Sequence, residues 1–347
     1  MQKIRAKHAF SITAVVLFVL IVIFAARNKH TEPSSPQSTP SKLVFAIGKH
    51  PPSALVLIAK NQRFFEKHGI DISFKDYPSG VRSLAGMLAG EAQMANAADV
   101  PIATQTLITR DFKIIASIAS ADNDARIVAR RDHGISAPID LRNKRIGVQK
   151  LSSVHYFLHA FLLSTGIHDK EVTTVYLKAE ELAPALIRGE IDAFSMREPY
   201  VRQALDGLHD KAIVFSKDNL VVRGEMLVAR NDFLATHKED AKAVARALID
   251  AEEFSLKFPE PSIEIVAQEL QANGKDIAES WPEMHLGVVL SQASLLQLEI
   301  AAQWALPLIY GNKSNQPSNI LNFIDARVLE EVRPQSVTFI HESDRTP

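Results

Sequence analysis

Short apolar runs alternate with helix-like patterns along most of the chain after residue 41, and this alternation restricts the possible folds most strongly. The runs LVFAI, DISFKDY and KIIASIA, at residues 43–47, 71–77 and 113–119, have the length and composition of buried strands. Between them, apolar residues recur at the spacing of a helix. Strands that alternate with helices over such short connections predict an α/β fold with parallel sheets and right-handed crossovers.

The pattern stops and restarts, which predicts two structural units in a chain of 347 residues. The segments Ala125–Arg131 and Met226–Arg230 are the predicted crossings between the units, and long helices are predicted after the second crossing. We therefore expect two parallel-sheet lobes, joined by two hinge crossings, with a cleft that closes on a ligand. The predicted boundaries are residues 42–125 with 226–341 for lobe 1, 126–225 for lobe 2 and 342–347 for a tail.

An apolar run from Ala9 to Ala26 follows Lys3, Arg5 and Lys7 near the N-terminus. It is longer than the apolar core of a secretory signal peptide, about 7–15 residues, and reaches the roughly 17–25 residues of a membrane-spanning helix. We therefore predict that residues 1–30 are an uncleaved signal anchor, a transmembrane helix, with a cleaved signal peptide as the alternative. Residues 31–41, rich in Pro, Ser and Thr, are a predicted linker. In both cases the remaining chain is expected outside the cytoplasm.

Charge and cysteine content argue against several classes of function. The formal net charge of −1 gives no electrostatic basis for binding nucleic acid. The chain has no cysteine, which rules out disulfides, cysteine nucleophiles and thiolate metal sites. The lipid-bearing cysteine of many bacterial surface binding proteins is therefore missing as well.

Polar residues stand at the carboxyl ends of the predicted strands, where open parallel sheets bind their ligands. Several are small hydroxyl residues or glycine directly before a helix, whose unpaired N–H groups and dipole suit an anion. A single serine in this position is ordinarily only a helix cap, so it is their alignment over successive strands that favours a binding site. The candidates are Pro52, Ser53, Ser79, Gly80, Asp99, Asn123, Ser152, Ser153 and Glu198, with Arg82, Arg197 and Arg223 as candidate sources of positive charge.

Four stretches of the sequence resemble solute-binding proteins of the nitrate/sulfonate/taurine and thiamine-precursor type. They are ALVLIAKNQRFFEKHGIDISFKDYPSGVRSLAGMLAGEAQMANAADVP, DLRNKRIGVQKLSSVHYFL, LIRGEIDAFSMREPY and ILNFIDARVLEEVRPQSVTFI, in the expected order across nearly all of residues 42–341. The resemblance implies a two-lobed periplasmic-binding-protein-like fold of type II. It also implies a pocket formed by the loop after the first strand, the Ser-Gly and Asp-containing loops, the Ser-Ser helix start and the Glu-Pro segment. On this chain that pocket comprises Pro52, Ser53, Ser79, Gly80, Asp99, Ser152, Ser153 and Glu198.

The resemblance further implies the extracytoplasmic solute-binding component of an ABC importer, a monomer whose partners are a permease and an ATPase. Its expected location is the periplasm, here with an N-terminal anchor in the inner membrane. Glu198 and Asp99 would repel a simple anion but pair with an amine, and an aminosulfonate would satisfy both these carboxylates and the helix starts. From the resemblance, a small sulfonate- or nitrate-type ligand, or an aminosulfonate, is expected first. A thiamine-precursor pyrimidine or another heterocycle is the alternative ligand, and a membrane-anchored ligand sensor is the alternative role.

Motifs of catalysis are weak in this sequence. His155 and His159 have the spacing of two zinc ligands on a helix, but HYFLH lacks the glutamate of His-Glu-x-x-His. We interpret both as residues of a helix–sheet interface, with one of them at the cleft edge as the alternative. Enzymes that resemble this chain carry cysteine-containing motifs, which it lacks. We therefore expect no cofactor, no metal and no enzymatic activity, and an enzyme is the least favoured alternative.

Overall fold

The computed structural model describes residues 42–122, 125–311 and 319–339. The predicted N-terminal anchor, the linker, Asn123 and the predicted tail lie outside these residues. Within the described ranges, no helix is both long and apolar enough to cross a membrane.

The described strands form two sheets, which we call sheet A and sheet B. Sheet A contains β1 (Lys42–Gly48), β2 (Asp71–Tyr77), β3 (Met94–Ala98), β4 (Phe112–Asp122), β10 (Val222–Arg230), β11 (Met284–Ser291) and β12 (Val337–Thr338). Sheet B contains β5 (Arg126–Arg130), β6 (Arg145–Val148), β7 (Thr173–Tyr176), β8 (Ala193–Met196) and β9 (Ala212–Phe215). The strand order is β12-β11-β4-β10-β3-β1-β2 in sheet A and β7-β6-β8-β5-β9 in sheet B.

Helices connect the strands of each sheet. The parts of the chain that build sheet A contribute α1 (Ala54–Asn61), α2 (Phe64–Lys67), α3 (Gly80–Leu88), α4 (Asp99–Thr106), α8 (Asn231–Thr236), α9 (Lys238–Lys257), α10 (Pro259–Leu270), α11 (Gly274–Ser280), α12 (Gln292–Tyr310) and α13 (Arg327–Glu330). The part that builds sheet B contributes α5 (Ser153–Ser164), α6 (Ala179–Ile187) and α7 (Tyr200–Leu208).

Both sheets are mixed, so the prediction of parallel sheets holds for only part of each sheet. β1 pairs in parallel with β2 and β3, and β6 pairs in parallel with β7 and β8. In contrast, β10 runs antiparallel to β3 and β4, and β5 runs antiparallel to β8 and β9. β5 and β10 are the strands that arrive directly from the other sheet. No helix carries the chain back along the sheet before either of these strands. Each strand therefore runs in the direction opposite to that of its neighbours.

The return crossing between the sheets lies earlier in the chain than the sequence pattern predicts. β9 ends at Phe215 and β10 begins at Val222, so residues 216–221 connect the two sheets. The segment predicted as the crossing, Met226–Arg230, lies inside β10 and pairs with β3 on one side and β4 on the other. It is therefore part of a central strand and not a hinge.

Each sheet has its own hydrophobic core. The core of sheet A contains Phe45, Phe65 and Phe112, and the core of sheet B contains Phe161 and Phe194. The two cores are separate clusters of buried residues, so each sheet buries its apolar surface against its own helices. Polar residues at the strand ends make contacts from one sheet to the other.

Candidate ligand-binding cleft

Two buried contacts join the strand ends of sheet A to those of sheet B. Gln149, directly after β6, donates from Nε2 to Oγ of Ser79, in the loop after β2, at 3.0 Å. Oγ of Ser153, at the start of α5, lies 3.5 Å from Oδ1 of Asp99, at the start of α4. All four side chains are buried. The carboxyl ends of the two sets of strands therefore face each other across a narrow polar cleft.

Two of the predicted serines form hydrogen bonds within the loops that carry them. Oγ of Ser152 accepts a hydrogen bond from N of His155 at 3.3 Å, which caps α5, and donates to O of Gln149 at 2.6 Å. Oγ of Ser53 donates to O of His50 at 2.5 Å within a tight turn after β1. These hydroxyl groups are engaged in local structure, which is the ordinary use of a serine before a helix.

Ser79 differs because it makes no capping bond and its hydroxyl contacts Gln149 instead. The loop that carries it is fixed by close backbone packing. A Cβ on Gly80 would lie 3.2 Å from N of Ala98, and a Cβ on Gly48 would lie 2.8 Å from Cα of Gly80. Glycine at these two positions lets the start of α3 approach β1 and β3, which places Ser79 at the cleft.

Asp99 links the start of α4 to β10. Its Oδ1 accepts a hydrogen bond from N of Val100 at 2.7 Å, and its Oδ2 accepts one from N of Gly224 at 2.8 Å. Burial raises the pKa of Asp99 to about 6, although these bonds and the charge of Arg223 act in the opposite direction. The carboxyl group is therefore ionised for the most part at neutral pH, but a nearby charge can change its protonation.

A buried polar network occupies the end of sheet A beside the cleft. The carboxylate of Glu225, in β10, accepts hydrogen bonds from Nδ2 of Asn96 at 2.6 Å and from Nη1 of Arg223 at 2.9 Å. Nε2 of His50 lies 3.4 Å from Oε1 of the same carboxylate. Burial opposes the ionisation of Glu225, but His50, Arg223 and Asn96 outweigh it and lower the pKa to about 2. Of these four residues, the sequence pattern had indicated only Arg223.

A cavity of about 240 Å³ lies between the two sheets. Its wall contains Pro52 from the loop after β1, together with Arg197 and Glu198 from the loop after β8. The charged residues of the wall are five carboxylates and three guanidinium groups, namely Asp122, Glu198, Asp276, Glu279 and Glu283 with Arg126, Arg197 and Arg202. Because negative groups are in excess, the wall would repel a simple anion. A ligand that carries both charges can pair with groups of both signs.

Glu198 has a structural contact besides its place in the cavity wall. Its Oε2 accepts a hydrogen bond from N of Arg202 at 3.0 Å, in the first turn of α7. Burial raises the pKa of Glu198, partly opposed by that bond. The side chain is half-buried, so it can cap α7 and still present a carboxylate oxygen to the cavity.

Ion pairs connect the two sides of the cleft at its edges. Within the described residues they are Arg202–Asp276 at 3.1 Å, Arg126–Glu283 at 4.0 Å and Arg82–Glu180 at 3.9 Å. Exposed pairs of this kind each contribute about 0–1 kcal/mol. They therefore add little to the stability of the contact between the two sides.

His155 and His159 lie where α5 meets α12. The ring of His155 is 5.0 Å from that of Trp304 and 5.4 Å from that of Tyr176, and burial lowers its pKa to about 4. Nδ1 of His159 lies 2.6 Å from Oδ2 of Asp169. Over the described part of the chain, no group of three or more His, Cys, Asp or Glu side chains is arranged to hold a metal ion. Both histidines therefore pack against Trp304 of α12, and His155 also packs against Tyr176 of β7, as in the predicted helix–sheet interface.

A protein-family model and curated proteins match this chain in sequence. The model of the NMT1/THI5-like family matches residues 50–262. The taurine-binding periplasmic protein of Escherichia coli K12 is 27% identical over 201 residues, which cover 57% of this chain and 61% of that protein. A putative aliphatic sulfonates-binding protein of Bacillus subtilis 168 is 30% identical over 150 residues, 42% of this chain and 45% of that protein. The chain thus spans less than two thirds of the length of these two curated relatives, both of which are named as binding proteins.

Among solved structures, the alkanesulfonate-binding protein SsuA from Xanthomonas axonopodis pv. citri, bound to MOPS, superposes with a TM-score of 0.71. The superposition covers 83% of this chain and 99% of that chain at 18% sequence identity. Likeness at this identity concerns the fold alone. It confirms the predicted α/β fold of periplasmic-binding-protein type with two sheets.

Proposed function

The chain belongs to the NMT1/THI5-like family, and from this membership we propose that it is the solute-binding component of an ABC importer. Its two lobes are built on sheets A and B and close around a small sulfonate-type ligand, which is bound without chemical change. The names of the relatives, which specify taurine and aliphatic sulfonates, support this class of ligand.

The observation that carries the proposal is the buried polar contact between strand ends of different sheets, made by Gln149 and Ser79. In the described residues, Oε1 of Gln149 and Nδ1 of His50 are buried without a hydrogen-bond partner. Leaving such a group unpaired costs about 1–3 kcal/mol, which a permanently closed protein interior would avoid. A polar ligand that enters the cleft would supply the missing partners.

The charges of the cavity wall favour an aminosulfonate over a simple sulfonate or nitrate. Arg197 provides a guanidinium group for the sulfonate, and Glu198 provides a carboxylate for the amine. A pyrimidine is the second candidate, because the unpaired atoms of Gln149 and His50 can accept hydrogen bonds from a neutral heterocycle.

A thermal-shift screen of the full-length chain tests the proposal. The panel contains taurine, ethanesulfonate, nitrate, bicarbonate and a thiamine-precursor pyrimidine. A ligand at about 100 times its Kd adds roughly 2.7 kcal/mol to the free energy of unfolding, which is a readily measured increase in Tm. We expect a dose-dependent increase with taurine. An increase only with the pyrimidine would replace the proposed ligand, and no increase with any compound would argue against the proposed ligand class.

We place the folded part outside the cytoplasm, in agreement with the periplasmic location in the name of the E. coli relative. The predicted anchor at residues 1–30 remains a prediction, since it lies outside the described residues. Genes for a permease and an ATPase beside the gene for this chain would support uptake. A neighbouring sensor kinase would instead favour the role of a ligand sensor.

A further inference from the structure

His50 is buried beside the cleft, and the proposed function does not yet explain its ring. The side chain is 3% exposed, and among the described residues neither Nδ1 nor Nε2 has a hydrogen-bond partner. The next residue, Pro51, lines the cavity, as does Arg197, whose charge acts on the ring. A buried ring nitrogen without a partner, one residue along the chain from the cavity wall, indicates that a bound molecule supplies one.

The other ring nitrogen determines which form of the neutral ring is present. Nε2 of His50 lies 3.4 Å from the fully buried carboxylate of Glu225, whose pKa is lowered to about 2 by His50, Arg223 and Asn96. Nε2 makes no hydrogen bond to the carboxylate, but the negative charge attracts a ring N–H and repels a ring lone pair, which favours the neutral form with the hydrogen on Nε2. Nδ1 of the neutral ring therefore carries a lone pair and is an acceptor.

The charged groups that face the ring come from both sides of the cleft. Burial lowers the pKa of His50 most strongly, Glu225 of β10 raises it, and Arg197 after β8 and Arg223 of β10 lower it again. The ring is therefore neutral at neutral pH in the ligand-free protein. An anion beside the ring would be repelled by the lone pair of Nδ1, unless the ring first gains a proton.

We propose that His50 is a specificity-determining residue that takes up one proton together with the sulfonate group of the ligand. Nδ1–H then donates a hydrogen bond to a sulfonate oxygen, while Nε2–H remains directed at Glu225. The proton comes from solvent, returns to it when the ligand leaves, and no covalent bond of the ligand changes. This inference rests on the proposed function, because it takes the ligand to be a sulfonate.

Proton uptake makes the affinity for a sulfonate depend on pH. The anion raises the pKa of His50 in the complex above that in the free protein, so uptake occurs at pH values between the two. Over that interval the affinity falls as pH rises, by at most about tenfold per pH unit for one proton. A neutral ligand that donates to Nδ1 would bind without uptake.

Asp99 is a second group at the cleft that an anion could protonate, since burial raises its pKa to about 6. The experiment therefore compares the wild type with His50→Gln and Asp99→Asn. The full-length proteins are titrated calorimetrically with taurine and ethanesulfonate at pH 7 in phosphate, imidazole and Tris, none of which carries a sulfonate. The dependence of the binding enthalpy on the ionisation enthalpy of the buffer gives the number of protons taken up.

We expect uptake approaching about one proton in the wild type and in Asp99→Asn, and none in His50→Gln. Uptake that persists in His50→Gln and disappears in Asp99→Asn would overturn the proposal in favour of Asp99. Sulfonate binding without uptake in the wild type would overturn it and leave the proposed function intact. If no sulfonate binds, both the proposed ligand class and this inference are wrong.

The nitrogen-15 chemical shifts of the histidine rings provide a readout in the wild-type protein, independent of how the variants fold. On addition of taurine, one ring should change from the neutral Nε2–H form to an imidazolium. That signal should be absent from His50→Gln. A spectrum in which every ring keeps its protonation state would overturn the proposal.

Discussion

Nε2 of Gln149 donates a hydrogen bond to Oγ of Ser79 at 3.0 Å, although the two residues are 70 positions apart and belong to different sheets. Gln149 follows β6 and Ser79 follows β2, so the bond joins two strand ends directly. Both side chains are buried, which removes water as a competitor for the contact. If the cleft opens and closes as proposed, this bond belongs to the closed arrangement and breaks on opening.

We expect Gln149→Ala to weaken ligand binding by roughly two- to tenfold, because a net hydrogen bond contributes about 0.5–1.5 kcal/mol. The change removes a contact made only when the strand ends meet, so it shifts the population towards the open form. Calorimetric titration with the ligand identified by the screen measures the effect. Gln203→Ala, at an exposed position on α7, is the matched control and should bind as the wild type does. Equal affinity of the wild type and Gln149→Ala would contradict this role.

A second prediction concerns the backbone packing that places Ser79. Gly80→Ala adds a Cβ that lies 3.2 Å from N of Ala98 and 3.3 Å from Cα of Ala97, and these backbone atoms cannot move aside easily. We expect the free energy of unfolding to fall by about 1–3 kcal/mol, as for other overpacked sites. Urea unfolding measures this loss.

Gly274→Ala is the control for that substitution. Gly274 is the first residue of α11, and an added Cβ there has no neighbour within 4 Å. Alanine should be neutral or stabilise the helix, because it has the better helix propensity. If both alanine variants changed stability equally, the close approach at Gly80 would not explain the effect.

Much of the fold can be predicted from local patterns. DISFKDY coincides with β2, because its short run of β-favouring residues ends before Pro-Ser-Gly. β11 was missed, since its residues lie in a region predicted to be helical. Its identity as a strand depends on antiparallel pairing with β4, a distant segment that a local pattern does not contain. The start of β10 was hidden by Arg223 and Glu225, because charged residues are rarely fully buried.

The residues of the candidate site also fall into two groups, those that local sequence patterns indicate and those that depend on contacts with distant segments. The rule that ligands bind at strand ends indicated Ser79, Asp99 and Ser153, which the structure brings to the cleft. Gln149 and His50 were absent from the candidate list, because their importance comes from contacts with residues of other strands. One local signal was available for the buried network. Arg223 and Glu225 are two residues apart and therefore share a face of the strand, next to the apolar run of β10.

Glu198 provides a test of the charge of the ligand. Glu198→Gln keeps an oxygen that can accept the hydrogen bond from N of Arg202 but removes the negative charge from the cavity wall. We expect this variant to lose affinity for taurine, by roughly tenfold or more if a buried charge pair is broken, and to lose little or none for ethanesulfonate. Competition calorimetry with both ligands measures the difference. An equal change for the two ligands would mean that Glu198 does not contact the amine.

The last prediction concerns Asp99 and the stability of the ligand-free protein. Burial raises the pKa of this carboxyl group to about 6 in the folded state, whereas its value in an unfolded chain is about 3.9. Between these pH values the folded state holds a proton that the unfolded state has released. The contribution of Asp99 to the free energy of unfolding therefore falls as pH rises from about 4 to about 6, at no more than about 1.4 kcal/mol per pH unit.

Asp99→Ala removes this titration, together with hydrogen bonds from N of Val100 and Gly224 whose loss alone would not vary in this way with pH. We therefore expect the wild type to exceed the variant in stability by more at pH 4.5 than at pH 6.5. Urea unfolding of both proteins at the two pH values measures the difference, and all other titrating groups are present in both. A stability difference that is constant, or that grows as pH rises, would show that Asp99 does not titrate as a buried carboxyl group in the folded protein.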